Sequence, residues 1–265
     1  RGLNYLLNNE DDKALKIFTD LIDVDSSTIE THLALGGVYR RRGEFDKAIL
    51  IHQNLLSRPK LDKTIKNQTL YELGKDFFSA GLYDKSEKIL LNLKGNKSYD
   101  ESCSEYLLLI YELSKDWDSA INFSKNLKNS IIRNLSVELL ISQYYCEKAS
   151  DYKKDNQLNK TITVLRKAQN SCNASKRPYA MLFEINIESN PSIALDNLVN
   201  LLEIDAIFII ILSNQIIQLS TIHQDKKIDN RIYDIILKYS NENLYSPKIY
   251  EFMFNVNNYN SPDEY

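Results

Sequence analysis

ETHLALGGVYRRRGEFDKAILIHQNLLSRPKL, running from Glu30 to Leu61, is the stretch whose reading decides the fold. Leu35, Gly36, Tyr39, Gly43, Ala48 and Pro59 stand in it in the order that marks two antiparallel helices and the turn joining them. His32 and His52 take the two places where such a unit carries Trp and a second aromatic ring. The small residues Gly36 and Ala48 let the helices approach closely, while Tyr39 fills the space beside them. Gly43 falls in the short turn, where a backbone without Cβ is useful.

Neighbouring segments copy this unit. Gly2, Tyr5 and Ala14 each lie 34 residues before Gly36, Tyr39 and Ala48, and that spacing is the tetratricopeptide period. Phe18 then takes the aromatic place of that first copy. Forward of the unit, Leu73, Gly74, Phe77, Gly81 and Ser86 form a third copy, with extra length placed in the loop RPKLDK. A fourth has Leu107, Leu108, Tyr111, Trp117, Ala120 and Leu127, with Leu108 where glycine stood. Ala149, Tyr152, Thr161, Leu165 and Ala168 continue the internal spacing, as do Leu182, Ile185, Ala194, Leu198 and Leu201, with Pro191 placed to start a helix. Two more helices are expected at about Ile207–Leu219 and Asp229–Ser240, and another after Ser246. No alternating strand pattern, phosphate loop or Pro-rich linker intervenes. The expected fold is therefore all-α, a right-handed α-solenoid of tetratricopeptide-type hairpins. One array over residues 1–265 is expected, with clear repeats in 2–128 and degenerate ones in 129–265.

Composition agrees with a packed helical chain. At 265 residues, 43% of them hydrophobic and only 7 Gly and 5 Pro, the chain can bury a large core without long turn-rich stretches. The balance of 33 basic and 36 acidic residues supplies no electrostatic reason to expect nucleic acid. Cys103, Cys146 and Cys172 are odd in number and far apart, which argues against a disulfide framework and for a reducing compartment. The longest apolar run, AIFIIIL at Ala206–Leu212, is far short of the roughly 18 to 20 residues that span a bilayer, and reads as a buried helix face. The chain opens on Arg1 inside a repeat and is expected to be an excerpt of a longer protein.

The sequence offers little chemistry. His32, His52, His223 and the cysteines have no metal-ligand spacing, so no metal site is expected. No nucleophile has a base and an orienting group in any recognisable motif, and the carboxylates alternate with lysines as on solvated helix faces. A non-enzyme without catalytic residues or cofactor is the reading. What hairpin stacking does create is a face lined by the first helix of each hairpin, suited to a segment of another protein. Inward positions fall on Glu30, Leu33, Gly37, Arg40 and Arg41, then Tyr71, Glu72, Lys75 and Phe78, then Glu105, Tyr106 and Leu109. Arg40, Arg41, Tyr71, Lys75 and Tyr106 are the candidate partner-binding residues, since Arg and Tyr are enriched at binding hot spots.

Three segments carry a narrower likeness: GLNYLLNNEDDKALKIF, the opening stretch with its RRRGE and IHQNL, and LYELGKDFFSAGLYDKSEKILLNL at Leu70–Leu93. They resemble the lipopolysaccharide assembly protein B family of Gram-negative bacteria, closely over Gly2 to about Leu93 and weakly beyond, chiefly through YYCEKA at Tyr144–Ala149. The resemblance implies a tetratricopeptide adaptor at the cytoplasmic face of the inner membrane, held by an N-terminal anchor and followed by a rubredoxin-like module binding iron or zinc. Neither flank is in this sequence, and the two Cys-x2-Cys pairs of that module are absent from it. The family role it implies is promoting degradation of the lipid A pathway deacetylase by a membrane-anchored ATP-dependent protease. Partners would then be those proteins and other lipopolysaccharide assembly proteins, with homo-oligomerisation left open. The alternative is a generic peptide-binding co-chaperone or assembly scaffold that grips C-terminal peptides with basic clamps.

Overall fold

The computed structural model describes residues 12–13, 16–17, 29–59, 61–127, 131–239 and 247–260. The markers expected for the first repeat, Gly2, Tyr5, Ala14 and Phe18, lie outside these residues. The chain divides into two compact units between Ser119 and Ala120. In the first lie α1 (Ile29–Arg41), α2 (Phe45–Leu56), α3 (Lys63–Ser79), α4 (Tyr83–Leu93), α5 (Asp100–Leu113) and the start of α6 (Trp117–Lys125). The second holds the rest of α6, then α7 (Val137–Lys154), α8 (Leu158–Ser171), α9 (Lys176–Asn186), α10 (Pro191–Ile204), α11 (Phe208–Ile211), α12 (Ser213–His223), α13 (Lys226–Tyr239) and α14 (Pro247–Asn260). The fold is all-α and of tetratricopeptide type.

Local chemistry sets the helix limits. Asp62, Ser136 and Asn190 each accept a hydrogen bond from a backbone N–H in the first turn of the following helix, at Thr64, Leu139 and Ile193. Pro191 opens α10, where its missing N–H costs nothing. The inter-helix turns share one geometry. Gly43 and Gly81 have φ of 78° and 74°, and the next residue's N–H returns to the carbonyl of Tyr39 or Phe77 at 2.9 and 2.8 Å. Lys115 and Asn156 adopt the same left-handed turn at φ 53° and 57°, with Asp116 and Gln157 donating to Tyr111 and Tyr152 at 2.9 Å each. The turn is thus kept in the fourth and fifth hairpins although its glycine is not.

The small position of the second helix is likewise kept. Ala48, Ser86, Ala120, Thr161 and Ala194 are all 0% exposed. Ser86 turns its hydroxyl to the carbonyl of Gly74 at 2.8 Å, so α3 and α4 meet backbone to side chain. A Cβ on Gly74 would lie 3.0 Å from Leu90, which fixes the closeness of that approach. Leu108, at the glycine position of the fourth hairpin, is fully buried.

In the second unit, Cys146, Ala149, Leu165, Ala168 and Leu182 form a core between α7, α8 and α9. A larger core of Phe183, Leu195, Leu201, Ile216, Leu219 and Ile236 draws in α9 to α14. Two features differ from expectation. The helix expected at Ile207–Leu219 is broken at Leu212, and only one side of AIFIIIL is buried: Ile209 and Leu212 are inside, Ile207 and Ile211 outside. A short antiparallel ladder pairs Ile131–Ile132 with Leu135–Ser136 across Arg133 and Asn134, both at positive φ, as a tight hairpin turn requires. Among the described residues no helix is long and apolar enough to cross a membrane.

Candidate partner-binding face

The first helices α1, α3 and α5 bring four of the five candidate residues into one connected cluster. Arg40, in the last turn of α1, donates from Nη2 to Glu72 Oε2 at 2.8 Å and from Nη1 to Asp76 Oδ1 at 2.7 Å and the Glu72 carbonyl at 3.3 Å. Lys75 donates to the other Glu72 oxygen at 2.7 Å, and its ammonium lies 4.8 Å from the centre of the Tyr71 ring. Tyr71 in turn meets Tyr106 edge-on with centroids 6.2 Å apart. Arg41 lies beside Arg40 on the wall of an open groove of about 340 Å³. Glu30, Leu33, Gly37, Glu72 and Lys75 line the same groove, as their repeat positions predict.

Two residues that sequence reading did not nominate hold this cluster in place. Asp76 and His52 are both 0% exposed, and His52 Nδ1 meets Asp76 Oδ2. Asp76 therefore ties α2 and α1 of one hairpin to α3 of the next. The His52 ring lies directly on Gly36, where an added Cβ would come within 2.4 Å of it. This explains glycine opposite a ring. Among the described residues His52 Nε2 has no hydrogen-bond partner, in keeping with its place against Gly36. In sequence His52 is an aromatic filler and Asp76 one acid among many. Their pairing needs residues 24 positions apart to meet.

Electrostatics follow from this packing. Burial raises the Glu72 carboxyl, but the Lys75 hydrogen bond and the charges of Lys75 and Arg40 outweigh it and hold the group below the usual range. Burial lowers the Arg40 guanidinium, and Glu72 with Asp76 more than restores it. Tyr71, Tyr99 and Tyr106 are raised, chiefly by burial, so their phenols stay protonated. Tyr71 lies 5.2 Å from Tyr99, at the N-cap of α5, and Phe78 lies 5.1 Å from Tyr106 and 5.7 Å from Tyr83 at the start of α4, giving a half-buried aromatic strip centred on α3 and α5.

The second unit repeats one device. Arg177 on α9 donates to Glu147 at 2.6 Å and Gln143 at 3.3 Å on α7, again arginine to acid between two first helices. Burial pushes the Cys103 thiol up to about 11 and the Cys146 thiol up to about 12, which disfavours the thiolate at both. Among the described residues no three His, Cys, Asp or Glu side chains converge as metal ligands.

The tetratricopeptide repeat family model matches residues 31–65, the unit that builds α1 and α2. Lipopolysaccharide assembly protein B of Escherichia coli K12 is 34% identical over 181 residues, 68% of this chain and 46% of that protein. This chain is a relative of lipopolysaccharide assembly protein B. The Haemophilus influenzae lipopolysaccharide assembly protein B is 32% identical over 175 residues, covering 63% of this chain and 43% of that one. The chain thus spans less than half the length of either lipopolysaccharide assembly protein B. The C-terminal part of a tetratricopeptide-repeat protein from Cytophaga hutchinsonii superposes with a TM-score of 0.51 at 15% identity, over 94% of this chain and 96% of that one, a likeness of fold alone.

Proposed function

We propose that this chain is a non-enzymatic adaptor whose α1–α3–α5 face holds a segment of a partner protein in a complex regulating lipopolysaccharide synthesis. The relationship to lipopolysaccharide assembly protein B supports the pathway. The convergence of Arg40, Tyr71, Lys75 and Tyr106 on one face beside an open groove supports the surface, and is the observation that carries the reading. In its specific form the adaptor promotes proteolysis of the lipid A pathway deacetylase by a membrane-anchored protease, at the cytoplasmic face of the inner membrane. We assign no cofactor to this chain.

Geometry weighs against the clamp alternative. A basic clamp for a C-terminal carboxylate needs cations that are not already satisfied, yet Arg40 and Lys75 are both engaged by Glu72, and Arg40 by Asp76 as well. A face whose cations Arg40 and Lys75 are so engaged suits an internal segment, gripped by aromatic area, better than a chain terminus. Immobilised chain should enrich both the protease and the deacetylase from defined mixtures of the purified proteins. Failure to enrich either one overturns the specific reading. Tight binding of free C-terminal peptides, lost when the terminal carboxylate is amidated, would favour the co-chaperone instead.

A further inference from the structure

On the α3–α5 face the formal charges do not cancel evenly. Arg40 and Lys75 are matched by Glu72 and Asp76, and Arg41 shares the groove wall with Glu30. Along α5, Glu101 and Glu105 remain, one helical turn apart, and no cation among the described residues pairs with either. Both stand on the same helix as Tyr106, whose ring packs with Phe78 and Tyr71. The surface is therefore rich in π faces and carries unmatched negative charge. Tyrosines kept protonated by burial add ring area to it without adding charge.

A cation with an apolar stem matches both properties at once: its stem covers ring area and its head meets the carboxylate. The protein supplies an example within itself. Lys75 places its ammonium 4.8 Å from the Tyr71 ring centre while bonded to Glu72 at 2.7 Å. Glu105 and Tyr106 adjoin along α5 and supply the same two groups, with no cation bonded to the carboxylate among the described residues; the Arg40 charge that reaches the Tyr106 phenol is itself held by Glu72 and Asp76. Arginine fits better than lysine, because its planar guanidinium can stack on a ring and still donate in the plane to a carboxylate.

We propose that the α3–α5 face takes an extended partner segment bearing an arginine side chain, stacked against Tyr106 and ion-paired with Glu105. This rests on the reading of this face as the partner-binding surface, and it gives that partner a chemistry: a basic internal stretch of chain rather than an acidic one.

The test uses end-blocked peptides alternating arginine with serine and leucine, and matched peptides with glutamate or glutamine in place of arginine, titrated onto the full chain by fluorescence anisotropy. The arginine peptide should bind, and the glutamate peptide should bind at least about tenfold more weakly. Glu105→Lys should weaken the arginine peptide by about tenfold or more, whereas Asp46→Lys, the same charge change on exposed α2, should leave it within about twofold. Tyr106→Ala should weaken it and Tyr106→Phe should not; if Tyr106→Ala unfolds, the charge reversals still decide. Equal affinity for the arginine and glutamate peptides overturns the inference. So does equal loss with Glu105→Lys and Asp46→Lys, which marks bulk charge alone. Partner proteins retained by wild type and Glu105→Lys alike would overturn it while leaving the proposed function standing.

Discussion

His52 resting on Gly36 makes one residue pair sensitive to a single methyl group. Gly36→Ala puts a Cβ within 2.4 Å of the buried ring and should destabilise by roughly 1 to 3 kcal/mol through overpacking. Gly37→Ala, one residue on, meets only the flexible end of Arg40 at 3.9 Å and should be neutral or stabilise by about 0.5 to 1 kcal/mol, the usual helix gain over glycine. Urea unfolding of the two variants checks both signs. Asp76→Ala removes the acceptor shared by Arg40 and His52, both drawn out of water, and should cost about 3 to 5 kcal/mol, read as a lowered thermal midpoint. Glu72 predicts the pH response. Burial raises it, but Lys75 and Arg40 leave it below its ordinary value of 4.5. A carboxylate depressed in the folded state contributes stability that is full above the unfolded value and lost as pH falls through the folded one. Unfolding midpoints should therefore drop on acidification below about pH 4.5, and Glu72→Gln should make that drop shallower. Arg40, Tyr71, Lys75 and Tyr106 were legible as face residues because each sits at an inward repeat position. Asp76 was not, because an acid next to Phe77 becomes a structural anchor only when Arg40 and His52 arrive from the preceding hairpin.

Each hairpin is a turn and two helices, and its parts differ in how local they are. The left-handed turn needs one residue at positive φ, and Gly43 and Gly81 announce it. Lys115 takes up the same φ against its preference, held there by the helices on either side, whereas Asn156 is a residue type that tolerates it. Lys115→Gly should thus raise stability by about 1 kcal/mol and Gly43→Ala lower it by about 1 to 2 kcal/mol, measurable by chemical denaturation of single variants. Ala48, 0% exposed at the contact of α1 with α2, has no room for growth, and Ala48→Leu should destabilise by roughly 1 to 3 kcal/mol. An unchanged midpoint there would show the repeat register to be wrong. Helix spacing up to α10 was readable from small residues and apolar period. The break at Leu212 and the ladder at 131–136 were not, because AIFIIIL is apolar on every side and the ladder strands are two residues each.

At the scale of the whole molecule the two compact units use one hairpin logic with different outcomes. In the first, inter-hairpin arginine chemistry centres on a fully buried acid, Asp76; in the second, Arg177 and Glu147 form the corresponding bridge nearer the surface. The likeness to lipopolysaccharide assembly protein B covers 68% of this chain, so the relationship extends well beyond one repeat.

By itself the sequence determined that this is a stack of tetratricopeptide-type hairpins. Turn glycines, small residues at fixed offsets and the 34-residue period act within one hairpin or its neighbour's copy, and so can be read along the chain. Only the tertiary structure decided which charges on the face of α1, α3 and α5 are paired. Arg40, Arg41 and Lys75 stand there in the sequence as candidate partner-binding cations. Folding delivers Glu72 and Asp76 to Arg40 and Lys75 and engages those two charges, because an ion pair depends on distance in space and not along the chain.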